Sequence, residues 1–255
     1  MFNIELYKQH LKTGNFGDIK YFDELDSTNS KALELSKSNI ANGTVVITDN
    51  QTAGRGRQSN TWFSVPGKSL TFSIILYPDC PIDQINKYSI IAGLAVSDVL
   101  IEIGLSPKLK WPNDVLIDSK KICGILSESK IQNYYLKTLV IGIGININEE
   151  KTDFPPELQL SSTSLSIEFG KNQEREQFLA YVINNLEARL NQIASFSDQI
   201  AAWQNRCVHL NKVTKFNYNN KIIKGRFVEL TESGEAKILI DGKVQVFNSG
   251  VLEML

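Results

Sequence analysis

The chain has 255 residues, 42% of them hydrophobic and 22% charged, which allows one sizeable core plus a small satellite and excludes the polar, highly charged composition of disordered chains. Lysine and arginine number 27 against 28 aspartate and glutamate, a formal charge of −1, so no global basic field exists to hold a nucleic acid. Cys80, Cys123 and Cys207 are odd in number and far apart, which argues against a disulfide framework and fits a reducing compartment. The first residues, MFNIELYKQH, carry no signal-peptide pattern, and no window approaches the roughly 18 apolar residues of a membrane span. A cytoplasmic protein that binds neither membrane nor DNA is the expectation.

In chain order, residues 27 to 38 (STNSKALELSKS) open with groups able to cap a helix and continue with Ala32, Leu33 and Leu35, predicting a short helix. TVVITD (44 to 49) and LTFSIIL (70 to 76) are β-branched and aromatic and predict strands, joined by a long polar loop of the kind that carries chemistry. From Asp83 to Gly104, Ile85, Tyr88, Ala92, Ala95, Val99 and Ile103 recur at spacings of three and four, the mark of a core helix. Strands are expected around LKW (109 to 111), ICGILSE (122 to 128) and TLVIGIGINI (138 to 147), with turn residues Pro112, Asn113 and Asp114 after the first. Gln173 to Ile193 reads as a second amphipathic helix and Ser197 to Cys207 as a shorter one. From His209 to Leu255, short alternating segments broken at Asn219-Asn220, Ser233-Gly234 and Asp241-Gly242 predict a small β-barrel. The fold class is therefore α+β: a mixed or antiparallel sheet backed by helices over residues 1–208, followed by a small β-domain over 209–255.

Four stretches carry candidate chemistry. In TDNQTAGRGRQSNTWFS (48 to 64), Gly54 and Gly56 alternate with Arg55 and Arg57 directly after a strand; glycines turn amides toward an anion and guanidinium forks suit phosphate, although a solvated turn explains the run equally well. In KWPNDVLIDSKKICGIL (110 to 126), Lys110 and Asp114 flank a tight turn, the Lys suited to phosphate and the Asp to Mg²⁺. Lys121 then precedes a strand in which Gly124 would let a ligand lie against the backbone; a solvent-facing hairpin corner is the plainer reading of Lys120-Lys121. In VIGIGININ, Gly142, Gly144, Asn146 and Asn148 alternate and would share one strand face, suited to a flat ligand or to a close strand-helix contact. Ser27, Thr28 and Asn29 could hydrogen-bond a neutral headgroup, cap a helix, or do both.

Together and in this order, the Ser-Thr-Asn element, the Gly-Arg-Gly-Arg loop ending in Trp62, the Lys-Trp-Pro-Asn-Asp turn, Lys121 and the Gly142 to Asn146 strand resemble the biotin–protein ligase family. Each motif alone is weak, and five in register are highly specific. The resemblance implies a catalytic fold like that of class II aminoacyl-tRNA synthetases and lipoate ligases, with an SH3-like C-terminal barrel. It implies that Ser27, Thr28, Asn29, Gln51, Arg55, Gly56, Arg57, Lys121 and Gly124 bind biotin. It likewise assigns Arg57, Trp62, Lys110, Asn113, Asp114, Lys121 and Asn146 to ATP or the adenylate, with Arg57 and Lys121 as the catalytic cations and Trp62 suited to stacking on adenine.

ATP and biotin are then substrates, Mg²⁺ accompanies ATP, and the acceptor is a lysine of a biotin carboxyl carrier protein. A homodimer is an open expectation, because family members often pair through sheet edges. Two departures stand out. Ser59-Asn60 replaces the family's usual Gly-Arg pair, removing one loop cation and weakening the expected retention of the adenylate. About 20 residues precede the matched region, too few for a winged-helix DNA-binding domain, so no operator binding is expected. A lipoate or octanoyl ligase of the same fold and a non-catalytic biotin-binding module are the rival readings.

Overall fold

The computed structural model describes residues 1–14, 16–218 and 221–254; the expected Asn219-Asn220 turn and the terminal Leu255 lie outside the described residues, as does the Ser59 side chain. In the first part, α1 (Ile4–His10), β1 (Ile19–Leu25), α2 (Thr28–Leu35), β2 (Val45–Gln51), β3 (Leu70–Leu76), a two-residue β4 (Cys80–Pro81) and α3 (Ile85–Glu102) follow one another. After them come β5 (Lys108–Lys110), β6 (Asp114–Ile117), β7 (Lys120–Gln132), β8 (Tyr135–Ile145), α4 (Leu165–Phe169), α5 (Arg175–Leu190) and α6 (Phe196–Arg206). The sheet runs β1-β2-β3-β8-β7-β6-β5, with β4 paired to β8. It is mixed: β1 joins β2 in parallel and the other pairs are antiparallel.

Strand periodicity gives this sheet two different faces. On one, Val45, Ile47, Phe72, Ile74, Ile125, Ile141, Ile143 and Ile145 are buried in the main core with Leu94, Ala95 and Val99 of α3 and Leu179, Val182 and Leu186 of α5. Gly93 brings α3 close to β7, a Cβ there meeting Ile125 Cδ1 at 3.6 Å. Asp98 of α3 ties the helices, accepting from Arg189 of α5 (2.5 and 2.9 Å) and from Arg206 of α6 (2.7 Å). The other face has only a small apolar cluster of Ala32, Val46, Ile75 and Val140 beneath α2 and is otherwise polar or bare.

The C-terminal part holds β9 (Val213–Tyr218), β10 (Lys221–Leu230), β11 (Ala236–Ile240), β12 (Lys243–Phe247) and β13 (Val251–Met254), antiparallel in the order β12-β11-β10-β9-β13. Its breaks at Ser233-Gly234 and Asp241-Gly242 fall where the sequence placed them. Phe216, Phe227, Ile238, Phe247 and Leu252 fill its interior, with Phe216 and Phe247 edge to face at 4.5 Å. No pairing joins β12 to β13 among the described residues, so the sheet curls on its own core without a closing ladder. No helix among the described residues is long and apolar enough to cross a membrane.

The expected helices and strands are present with ends shifted by a few residues, the helix read over Gln173 to Ile193 being confined to Arg175–Leu190. Sequence reading passed over α1, β1, β6 and α4. β1 mixes lysine, aspartate and glutamate into IKYFDEL because it is an edge strand with no fully buried residue, and α1 and α4 are too short for periodicity to register.

Candidate active site

Register places the site before any side chain is considered. Thr48, Thr71, Gly144, Gly124, Asp114 and Lys110 are successive partners on β2, β3, β8, β7, β6 and β5, one row across six strands. The next row is Val46, Ser73, Gly142 and Leu126. From Thr71 to Lys110 in the first row, and at Gly142 and Leu126 in the second, they floor a cleft of about 160 Å³ that Ser27 to Asn29, Gln51, the loop from Arg55 to Trp62, the Lys110–Asp114 turn and Lys121 surround. Gly250 and Leu252 of the C-terminal sheet close one side.

Lys121 reaches this face through an irregularity. Asp114 pairs with Gly124, Val115 with Cys123 and Leu116 with Lys121, so Ile122 is an extra residue, a β-bulge. The bulge sends Ile122 into the core and turns Lys121 toward the same face as Gly124, opposite to simple alternation. Its ammonium lies 2.6 Å from Asp114 Oδ1, and a Cβ on Gly124 would sit 3.1 Å from Lys121 Nζ. The Lys121 main chain is clamped by Ser161 and Thr163, its amide donating to Ser161 O (2.7 Å) and its carbonyl accepting from Thr163 N (3.0 Å).

Asn146 belongs to this clamp and is absent from the residues lining the cleft. β8 ends at Ile145, and the Asn146 amide nitrogen donates to the carbonyls of Thr163 (2.8 Å) and Lys121 (3.4 Å). The structure therefore puts it behind Lys121, departing from the shared face that alternation predicted. Asn148, likewise beyond the strand, exchanges hydrogen bonds with the Gln173 main chain.

The bare glycines receive the protein's own side chains. A Cβ on Gly142 would lie 2.1 Å from Asn29 Oδ1, and one on Gly144 2.3 Å from the Trp62 indole. Trp62 thus lies over the Gly124-Gly144 row, with Lys121 Nζ 5.6 Å from its ring centre and its Nε1 buried without a protein partner among the described residues. Of the two sequence readings, close contact with chain is present at both glycines, and it comes from a loop and a helix's first turn.

At the β2–β3 end the groups are polar and interlocked. Ser27 takes the N-cap position of α2 but makes no side-chain capping bond, and Thr28 N donates instead to Gln51 Oε1 (2.9 Å). Ser73 Oγ donates to Asn29 Oδ1 (2.6 Å) and lies 2.7 Å from Thr28 Oγ1. Asn29 Nδ2 donates to Leu126 O (3.2 Å) and Glu128 Oε2 (2.8 Å).

The Gly54 to Trp62 loop is a folded hairpin: Trp62 N donates to Gly54 O (2.9 Å), Gly56 N to Asn60 O (2.7 Å), and Arg55 bridges Thr61. Gly54 is required by close approach, since a Cβ would stand 2.5 Å from Trp62 O. Arg55 lines the cleft and donates to Glu128 (2.7 Å), while Arg57 is desolvated, which lowers its pKa against an opposing pull from Asp114. Arg57 Nη1 donates to Gly250 O (3.1 Å), so the C-terminal sheet holds a cleft cation. Asp114 pairs directly with Lys121 and is close enough to favour the charged form of Arg57, so both cations feel one carboxylate. Asn113 lines the cleft beside it, its amide donating to Ile125 O (2.7 Å).

Sequence reading missed Thr71, Ser73, Leu126, Glu128, Gly250 and Leu252. For Leu126 and Glu128 a signal existed, because both share a strand face with Gly124 at period two. For Gly250 and Leu252 none did, since their place depends on how the second sheet docks. The cysteines stand apart: burial pushes the Cys123 thiol far up and that of Cys207 to about 12, leaving neither as a ready nucleophile.

The mixed sheet thus carries on its polar face a glycine-floored cleft, polar at one end and cationic at the other. The pattern of the Biotin/lipoate A/B protein ligase family matches residues 21–146. The biotin protein ligase of Aquifex aeolicus, solved with biotin and ATP, is 30% identical, with 93% of this chain and 98% of that one covered at a TM-score of 0.79. The bifunctional ligase/repressor BirA of Bacillus subtilis (strain 168) is 40% identical over 181 residues, 70% of this chain and 56% of that protein. The biotin--[acetyl-CoA-carboxylase] ligase of Mycobacterium tuberculosis is 33% identical over 183 residues, 69% of this chain and 65% of that protein. The chain belongs to the biotin protein ligase family. It spans a little over half the length of the Bacillus relative.

Proposed function

We propose that this chain activates biotin with ATP, forming biotinyl-5′-AMP, and passes the biotinyl group to a lysine of a biotin carboxyl carrier protein, acting in the cytoplasm. The observation that carries the reading is the cleft's polarity along one sheet row. Hydroxyl and amide groups of Ser27, Thr28, Asn29 and Gln51 stand at the β2–β3 end, and Arg57, Lys110 and Lys121 at the β5–β6 end. A neutral ureido headgroup suits the first and a carboxylate meeting phosphate suits the second. Trp62, over the glycine row between them, offers a flat face to adenine.

Biotin's carboxylate is already a nucleophile, so the protein's task is alignment and charge neutralisation. A carboxylate oxygen attacks the α-phosphorus, the bond to the β-phosphate oxygen breaks, and pyrophosphate leaves. Lys121 and Arg57 exchange their present partners, Asp114 and the Gly250 carbonyl, for the phosphate oxygens as negative charge gathers. The acceptor lysine, as a free amine, then attacks the carbonyl carbon of the mixed anhydride; AMP leaves and the amine sheds its proton. No protein nucleophile is needed.

Asp114 is the one carboxylate among the described residues lining the cleft. A single carboxylate beside Asn113 fits a Mg²⁺ carried by phosphates better than one caged by protein. Mg²⁺ bound there with ATP would neutralise phosphate charge.

The division into a catalytic domain over 1–208 and a barrel domain over 209–255 fits the connection between α6 and β9. In this division the second domain also acts in the site, through Gly250 and Leu252. The test is to incubate the protein with ATP, Mg²⁺ and biotin, lipoate or octanoate, measure pyrophosphate release, and weigh the bound product. Release with biotin and a bound mass of biotinyl-AMP are expected; release with lipoate or octanoate alone would overturn the reading.

A further inference from the structure

A carboxylate at the far end of β7 connects two parts of the site that the chain separates by 26 residues. Gly124, Leu126 and Glu128 follow one another on one face of the strand, so Glu128 continues the cleft floor beyond its last lining residue. A single oxygen of Glu128, Oε2, accepts from Asn29 Nδ2 at 2.8 Å and from Arg55 Nη2 at 2.7 Å. The first partner opens α2 at the headgroup end; the second sits at the start of the Gly54 to Trp62 hairpin.

We infer that Glu128 is a positioning residue of the proposed biotin adenylation: it fixes the Asn29 amide in the headgroup pocket and, through Arg55, latches the Gly54 to Trp62 loop, so that headgroup binding and loop closure share one carboxylate. The inference rests on the function proposed above and adds a residue to it.

Chemistry sets what Glu128 does to Asn29. An ionised carboxylate only accepts hydrogen bonds, so it draws the NH₂ end of the amide, and Leu126 O takes that group as well. The Ser73 hydroxyl then meets the carbonyl end, and both amide hydrogens are spent. Asn29 is left able only to accept, through the remaining lone pair of Oδ1, which selects an N–H donor such as a ureido nitrogen. Without the carboxylate the amide could turn over and present a donor instead.

Exposure sets what Glu128 does to the loop. The Arg55 and Glu128 side chains are 43% and 27% exposed, and pairs this open add little to fold stability while being easily broken and remade. That suits a latch. Closing it brings Trp62 and Arg57 over the cleft as one hairpin, because Trp62 N is tied to Gly54 O.

The test is steady-state, biotin-dependent pyrophosphate release by the full chain and its variants, with a thermal melt of each. Glu128→Gln keeps an acceptor for Asn29 but loses the charge that holds Arg55, so it and Arg55→Ala should each raise KM for biotin about threefold. Glu128→Ala loses both contacts and should raise it at least about tenfold, with KM for ATP changed less than about twofold throughout. The double variant Arg55→Ala/Glu128→Gln should be no worse than either single change, since one latch is removed twice.

An unchanged KM for biotin in Glu128→Ala, or equal rises for biotin and ATP, overturns the inference. If Glu128→Ala does not fold, the other two variants decide: effects that multiply in the double variant overturn the shared latch. A wild-type chain without biotin-dependent pyrophosphate release removes the proposed function and this inference with it. Active wild type with unaffected variants removes this inference alone.

Discussion

The two faces of the central sheet are built from the same strands, one residue out of step, and do opposite things. On β8, Ile141, Ile143 and Ile145 bury themselves under α3 and α5, while Gly142 and Gly144 give their surface away to Asn29 and Trp62. One face excludes water and stabilises; the other leaves polar groups accessible to a ligand. A strand's twofold period allows both because each face is decorated independently.

The contrast breaks most visibly at Lys121. Lys121→Ala should lower biotin-dependent pyrophosphate release by about 10³-fold, some 4 kcal/mol of transition-state stabilisation, while the melting temperature barely moves, because the charge acts on the cleft face alone. Its Asp114 partner is left in a partly solvated setting, at a stability cost below about 1 kcal/mol. Ile141→Ala is the mirror experiment. Truncating a fully buried side chain should cost about 3 kcal/mol in a denaturant titration, with KM values for biotin and ATP preserved while the protein is folded.

A milder probe inserts one methyl where the faces are least alike. In Gly144→Ala the new Cβ would sit 2.3 Å from the indole, so Trp62 must shift. About tenfold lower kcat/KM for ATP is expected, near 1.4 kcal/mol, with tryptophan emission altered and the melt changed little.

The smallest effect comes where the apolar side breaks its own rule. His209 is 0% exposed, edge-on to Phe227 at 4.4 Å, and neither ring nitrogen has a protein partner among the described residues. Burial first, then the charges of Lys110 and Lys212, pull its pKa down to about 3. The folded state keeps His209 neutral where the unfolded chain, with an ordinary value near 6.5, takes up a proton. Its contribution to stability is therefore present above about pH 6.5 and is lost as pH falls from there toward 3, with a limiting slope of about 1.4 kcal/mol per pH unit. His209→Phe should flatten the stability profile between about pH 4 and 6.5, by about 0.8 kcal/mol at pH 6. Parallel profiles for the two proteins would remove the histidine from the account.

Much of this was legible in the amino-acid order. The 3.6-residue recurrence placed α3 and α5, the β-branched runs placed β2, β3, β7 and β8, and the five motifs cover most of the residues around the cleft. Alternation also gave Gly142 and Gly144 a common face, because strand period is a local property of the backbone. Composition signalled the change to an all-β segment after α6.

Tertiary structure alone decided the rest. Simple alternation would put Lys121 and Gly124 on opposite faces; a bulge at Ile122, set by pairing with β6, brings them together. The same rule gave Asn146 to the cleft, and the strand's end at Ile145 takes it away to hold the Lys121 carbonyl. Glu128 and Gly250 reach their partners across 73 and 193 residues of chain. Local sequence fixes which way a strand's residues point; where strands pair, slip and stop depends on partners far along the chain, and that is how Lys121, Arg57 and Asp114 come to share one cleft.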